Sequence, residues 1–249
     1  MGALLGETFR ILGSHLYLFT LLSLTVWLPG HVVRHYLEFF GSAEESRAQS
    51  LRLVLAMQVV FDPLVVSSVL CALGRIKRSQ PVGYLIVLSE GMAAWGRLFV
   101  VRFIINSAIA VMVLGGLAIP SSGAPGLAAA SVLLVLASVL LVLLVRFAVV
   151  DSVVVLEGGN ALNAWRRAAQ LTAGRRWVIL WTAIALFVLI FGFAMVVGQL
   201  FRVQPELNHF VTRVLVDCVL SVSQSLFTIA FFLVYWKART AAAPETVPA

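Results

Sequence analysis

Six long apolar segments, separated by charged loops, occupy nearly the whole of this 249-residue chain. An α-helix needs about 20 consecutive, mostly apolar residues to cross a bilayer. The segments run from about 16 to 33, 53 to 73, 98 to 119, 127 to 147, 178 to 201 and 214 to 236. They are longer than barrel strands and their apolar spacing is helical, so a β-barrel is excluded. With 61% hydrophobic and 12% charged residues, a soluble core would leave too much apolar surface in water, whereas a bilayer accepts it. The expected fold is an all-α polytopic membrane protein. It comprises one six-helix domain over residues 1–239 and a disordered Ala/Pro-rich tail over residues 240–249.

Basic residues set the orientation, because Lys and Arg concentrate in cytoplasmic loops. With the N-terminus inside, the cytoplasmic regions hold Arg10, then Arg75, Lys77, Arg78, Arg97 and Arg102, then Arg146, Arg166, Arg167, Arg175 and Arg176, and finally Lys237 and Arg239. Arg34, Arg47, Arg52, Arg202 and Arg213 fall outside. Thirteen of the 18 basic residues thus lie on one side. This predicts cytoplasmic N- and C-termini in a bacterial inner membrane. The net charge of +7 sits at membrane edges, which points to anionic lipid headgroups and away from nucleic acid. Residues 1–30 lack a basic n-region and an A-x-A site, so the first span is expected to be an uncleaved anchor. Cys71 and Cys218 fall at opposite ends of their spans, too far apart in depth for a disulfide.

A form repeats at roughly a third of the chain length: an amphipathic stretch, a glycine, polar or basic residues, then an aromatic opening a span. It occurs around Gly13, Gly96 and Gly174, which lie 83 and 78 residues apart. The pattern predicts three helical hairpins, each preceded by an amphipathic helix at the cytoplasmic interface. The third such helix is the clearest. Gly158-Gly159 break the chain, Asn160 is placed as N-cap, and Leu162, Trp165, Ala169 and Thr172 recur on one face. Gly174 is placed just past the C-terminus. Trp165, Arg166, Arg167, Arg175, Arg176 and Trp177 are the candidate contacts to lipid headgroups or a partner, while packing against the bundle is the alternative for the same helix.

Glu157-Gly158, the run Ala164-Trp165-Arg166-Arg167-Ala168-Ala169-Gln170-Leu171-Thr172-Ala173-Gly174-Arg175-Arg176-Trp177 and the span that follows resemble the signature of bacterial six-span domains related to the glycerophosphodiester phosphodiesterase membrane domain. The resemblance implies a non-catalytic multi-pass module. In that family the phosphodiesterase chemistry belongs to a separate soluble domain.

Ionisable groups at mid-depth in a bilayer are expensive and call for a functional hypothesis. Asp62 lies halfway along the second span and is followed by Pro63, which frees a carbonyl and bends the helix. Gln58 lies one turn earlier, Asn106 and Ser107 lie in the third span, and Gln224 lies in the sixth among Ser221, Ser223 and Ser225. Asp62, Gln58, Asn106 and Gln224 are therefore the intramembrane candidates. They either bond one another to hold the bundle together or line an ion, proton or small-molecule site. His31 and His35 near Glu38 lack a third ligand at fixed spacing, so no metal is expected. Asp217 stands four residues after Arg213, the spacing of a helical ion pair. Asp151 and Glu157 lie among cytoplasmic arginines and are expected to be paired.

No hydrolase, metalloprotease or P-loop motif occurs, and neither enzymatic activity nor a cofactor is expected. The primary expectation is a non-enzymatic membrane scaffold or accessory subunit, touching lipid and a membrane-protein partner or a second copy of itself. The polar outside loop over residues 37–50 is a further docking candidate. The competing expectation is a small transporter, channel or permease-like subunit. Convergence of Asp62 with the polar residues of the third and sixth spans on one cavity would favour transport, and dry, mutually satisfied pairs would favour scaffolding.

Overall fold

The computed structural model describes residues 2–41, 43–121 and 126–242, and no strand forms among them. The apolar runs become helices because only a helix satisfies its backbone internally where water is absent. In order they are α1 (Gly2–Ser14), α2 (Leu16–Phe40), α3 (Ala43–Ala56), a π-helical turn (Met57–Phe61), α4 (Asp62–Lys77), α5 (Tyr84–Ser121), α6 (Gly126–Phe147), α7 (Val150–Leu156), α8 (Ala161–Thr172), α9 (Arg176–Val203), a 3₁₀ turn (Pro205–Leu207) and α10 (Phe210–Ala242). Among the described residues, five helical stretches are long and apolar enough to cross a membrane: Leu16–Phe40, Arg52–Lys77, Tyr84–Ala108, Arg176–Val203 and Phe210–Ala241. The expected span over 127–147 falls on α6, parts of which lie outside the described side chains.

The core lies where α4, α5, α7 and the second half of α10 meet. Leu70, Leu73, Leu98, Val153, Phe232, Leu233 and Tyr235 are fully or almost fully enclosed there. Small residues permit this closeness. Ser67 donates to the carbonyl of Gly91 at 2.9 Å, and a Cβ at Gly91 would come within 2.8 Å of the Ser68 backbone. By contrast, α9 leaves Trp181, Phe187, Val188, Leu189 and Phe191 exposed. So large an apolar surface suits acyl chains and not water.

Several elements differ from the sequence expectation. The stretch before the third span is not a separate interfacial helix, because α5 runs unbroken through Gly96. At about 1.5 Å per residue its 38 residues extend about 57 Å, nearly twice the ~30 Å hydrocarbon thickness. A lone glycine costs a helix only about 1 kcal/mol relative to alanine, which neighbouring packing overrides. Most of the expected outside loop is helical, with α2 reaching Phe40 and α3 starting at Ala43. At the C-terminus α10 continues to Ala242, and the rest of the tail lies outside the described residues. Cys71 and Cys218 are both free, as their depths predict.

α8 begins after Asn160, which occupies the N-cap position but makes no side-chain cap bond. The chain leaves α8 through Gly174 in the left-handed region (φ 75°), as a residue past a helix C-terminus commonly does. α8 buries Ala164, Ala168, Leu171 and Thr172 against its neighbours, a face of small residues rotated from the one anticipated. Thr172 donates to the carbonyl of Arg146 at 3.1 Å, which ties α8 to α6. α1 packs on α10 through Leu4, Thr8 and Ile11. From the edge of the same face Glu7 reaches Lys77 at 2.7 Å and Lys237 at 2.8 Å.

Candidate functional site

The site begins at Pro63. Having no N–H, proline cannot continue the α-helical ladder, and the preceding five residues adopt π geometry, with the Asp62 N–H reaching back to the Met57 carbonyl. Such turns are frequent at functional sites. The carbonyl of Val60 accepts the indole N–H of Trp95 from α5 at 2.8 Å. The bond ties the π turn to the neighbouring helix α5. Gln58 and Asp62 are thereby presented on the side of the chain facing α5 and α10.

Asp62 meets Arg102, whose Nη1 donates to Asp62 Oδ2. The other edge of the same guanidinium serves Asp151 of α7, with Nη2 at 2.6 Å and Nε at 3.2 Å from Asp151 Oδ2. Two carboxylates from different helices thus share one cation. The formal balance is one negative charge in excess, which a proton or a bound cationic group would neutralise. Sequence reading placed Arg102 and Asp151 at the cytoplasmic edge and left them out of the site. The signal was available, because Arg102 is the only charged residue between positions 98 and 119, and an arginine within a span is itself a flag.

Around this triad lies a cavity of about 700 Å³. All four intramembrane candidates (Gln58, Asp62, Asn106 and Gln224) line it, together with Arg102, Ser107, His31, Arg34, Asp217 and Ser221. The four come from the π turn, α4, α5 and α10.

A second ion cluster, between α2 and α10, reaches the cavity through Arg34, His31 and Asp217. Asp217 Oδ2 receives Arg34 Nη2 and His35 Nε2, each at 2.7 Å. His35, fully enclosed, also meets Glu38 through Nδ1 at 2.9 Å. His31 stacks on Trp27 (centroids 5.7 Å apart) and bonds Ser221 at 2.8 Å. The expected Arg213–Asp217 pair does not form. Arg213 instead donates to Asn208 at 2.7 Å and lies over the Phe201 ring at 5.0 Å, and Asp217 turns inward to α2.

The headgroup candidates lie elsewhere. Arg166, Arg176 and Trp177 are exposed, and Arg167 and Arg175 are half-buried. Arg167 pairs with Glu157 at 3.4 Å, and Glu157 also accepts the Tyr235 hydroxyl at 3.0 Å. Trp165 is half-buried against Phe147, with ring centroids 6.1 Å apart.

Comparison with protein-family models, with curated proteins and with solved structures found no match for this chain.

Proposed function

We propose that this protein is a small, non-enzymatic membrane transporter or permease-like subunit whose binding site is the polar cavity between α2, α4, α5 and α10. The observation that carries this reading is convergence. Four polar side chains from three separate stretches of the sequence, each expensive to hold in a bilayer, line one cavity, with Asp62 ion-paired to Arg102 at its wall. Cavities of about 300–1,000 Å³ are the size that small-molecule sites use. The π turn in the second span beside Asp62 is a helix irregularity of the kind frequent at functional sites. In this reading α6 completes six spans in three hairpins, with both termini cytoplasmic in a bacterial inner membrane, a module of the kind the Glu157-Gly158 region resembles.

A transport cavity must open to both sides. With Cys71 and Cys218 replaced by Ser, Asn106→Cys in reconstituted vesicles is expected to react with a membrane-impermeant maleimide added to either face. Reaction from neither face would sink the transport reading and return the protein to the scaffold class.

A second reading, an accessory subunit, draws on α8 and the start of α9. Arg166, Arg176 and Trp177 are free to meet anionic headgroups or a membrane-protein partner on the cytoplasmic side.

A further inference from the structure

A second cavity, of about 820 Å³, lies on the other side of Arg102. Its character is opposite to that of the first. Its wall is mostly apolar, with Leu141, Ile179, Ala183, Phe187 and Phe231 among the lining residues, and Arg102, Asn106 and Asp151 are among its few polar ones. Arg102 and Asn106 line both cavities. The Asp62–Arg102–Asp151 triad therefore stands as the partition, with Asp62 lining the polar chamber and Asp151 the apolar one. Leu141, Ile184 and Phe187 line the apolar chamber and are also exposed on the outside of the bundle, so the chamber opens laterally, towards acyl chains in a membrane.

We propose that the two chambers form one amphiphile site, in which the apolar chamber takes an acyl chain from the bilayer and the polar chamber takes a head bearing both an ammonium and a phosphate. This rests on the reading of the polar cavity as a binding site and names its ligand class. Three observations commit the proposal to a zwitterionic lipid. Two carboxylates on one guanidinium leave negative charge at the partition for an ammonium to complement. Arg34 and His31 also line the polar chamber and carry donors that a phosphate would share with Asp217. The indole N–H of Trp165 is buried, lines the apolar chamber and has no hydrogen-bond partner among the described residues. An orphaned donor of that kind calls for an acceptor, and the ester carbonyl of an acyl chain is one that a lipid brings.

The test uses the full-length protein in mild detergent, titrated with dioctanoyl phosphatidylethanolamine, dioctanoyl phosphatidylglycerol or phosphoethanolamine alone, with bound species counted by native mass spectrometry. The wild type is expected to hold one phosphatidylethanolamine, at least ten-fold more tightly than phosphatidylglycerol or the free head. Ala183→Trp fills the chain chamber and is expected to weaken phosphatidylethanolamine at least ten-fold while leaving the free head unchanged. Ile184→Trp, at the exposed mouth where folding is least at risk, is expected to act in the same direction. Equal retention of both lipids, preference for phosphatidylglycerol, or full retention by a correctly folded Ile184→Trp would each overturn the proposal. The outcome is separable from the transport reading. Lipid retention with no maleimide reaction at Asn106→Cys leaves a lipid-binding protein that does not transport. Reaction from both faces with no lipid retention leaves a transporter of another solute.

Discussion

Trp95 on α5 donates its indole N–H to the carbonyl of Val60, 2.8 Å away, inside the π turn that presents Gln58 and Asp62. One side chain thus ties the π turn to α5. Trp95→Phe keeps the ring contact with Phe99, whose centroid is 5.7 Å away, but deprives the carbonyl of its donor. The expected cost is about 1 kcal/mol, read as a lower midpoint of unfolding in mixed detergent. A local effect on Asp62 placement is expected to appear as altered maleimide reactivity at Asn106→Cys.

The contact between α4 and α5 separates two glycines that the sequence presents alike. Gly91 faces Ser68 so closely that an added Cβ would meet the Ser68 backbone at 2.8 Å, whereas a Cβ at Gly96 meets nothing within 4 Å. Gly91→Ala is expected to push the helices apart at a cost of about 1–3 kcal/mol. Gly96→Ala is expected to be neutral or to stabilise by up to about 1 kcal/mol, because alanine is the better helix former. Parallel unfolding curves check both. If Gly96→Ala proved as damaging as Gly91→Ala, α5 would have to break at Gly96.

Those glycines also show what was legible in the sequence. Apolar runs and Lys/Arg placement give helices and their approximate ends, because burial in a bilayer depends on composition summed over some twenty residues. The glycine, polar, aromatic form around Gly96 was read as a helix boundary, yet α5 passes through it. Local propensity of about 1 kcal/mol yields to the packing of α5 on α4 and α7. The candidate site was half legible. Asp62, Gln58, Asn106 and Gln224 stood out as polar residues in apolar runs, a one-dimensional signal. Asp151 could not be placed the same way. It becomes part of the site only because α7 packs beside α4 and α5 and brings position 151 to position 102. Asp217 likewise turns away from its helical neighbour Arg213 because α2 brings Arg34 and His35 within reach.

Glu7 links α1 to the C-terminal ends of α4 and α10 through Lys77 and Lys237. Burial pushes its carboxyl up, but hydrogen bonds and charge from Lys237 and Lys77 outweigh that and hold it below the usual value. A carboxyl whose value is lower in the folded state stabilises the fold above its unfolded value, about 4.3. That contribution is lost as pH falls through the folded value. The melting midpoint of the wild type is therefore expected to exceed that of Glu7→Gln by a constant margin from pH 6 to 8. The margin is expected to close as the pH is taken below about 4. A margin that persists in strong acid would place the effect of Glu7 in packing and not in its charge.

Arg102 is the most exacting position, because one guanidinium serves Asp62 and Asp151 on separate helices. Arg102→Met leaves two carboxylates facing each other without a cation; because the three side chains are about a quarter exposed, the expected cost lies below the ~3–5 kcal/mol of a fully buried pair. Arg102→Lys retains the charge but not the fork. An ammonium is a point donor on a flexible stem and does not reproduce the two bonds to Asp151 Oδ2 together with the bond to Asp62. Lysine is therefore expected to recover part of the stability lost by methionine. It is not expected to recover the separation of the two chambers, so maleimide reactivity at Asn106→Cys should change even where folding is restored. Combining Arg102→Met with Asp62→Asn and Asp151→Asn removes the stranded charges as well, and is expected to be less destabilised than Arg102→Met alone. Unfolding midpoints of the single and triple variants decide the point. A triple variant no better than the single one would mean that Arg102 stabilises the bundle through its packing and not by neutralising the two aspartates.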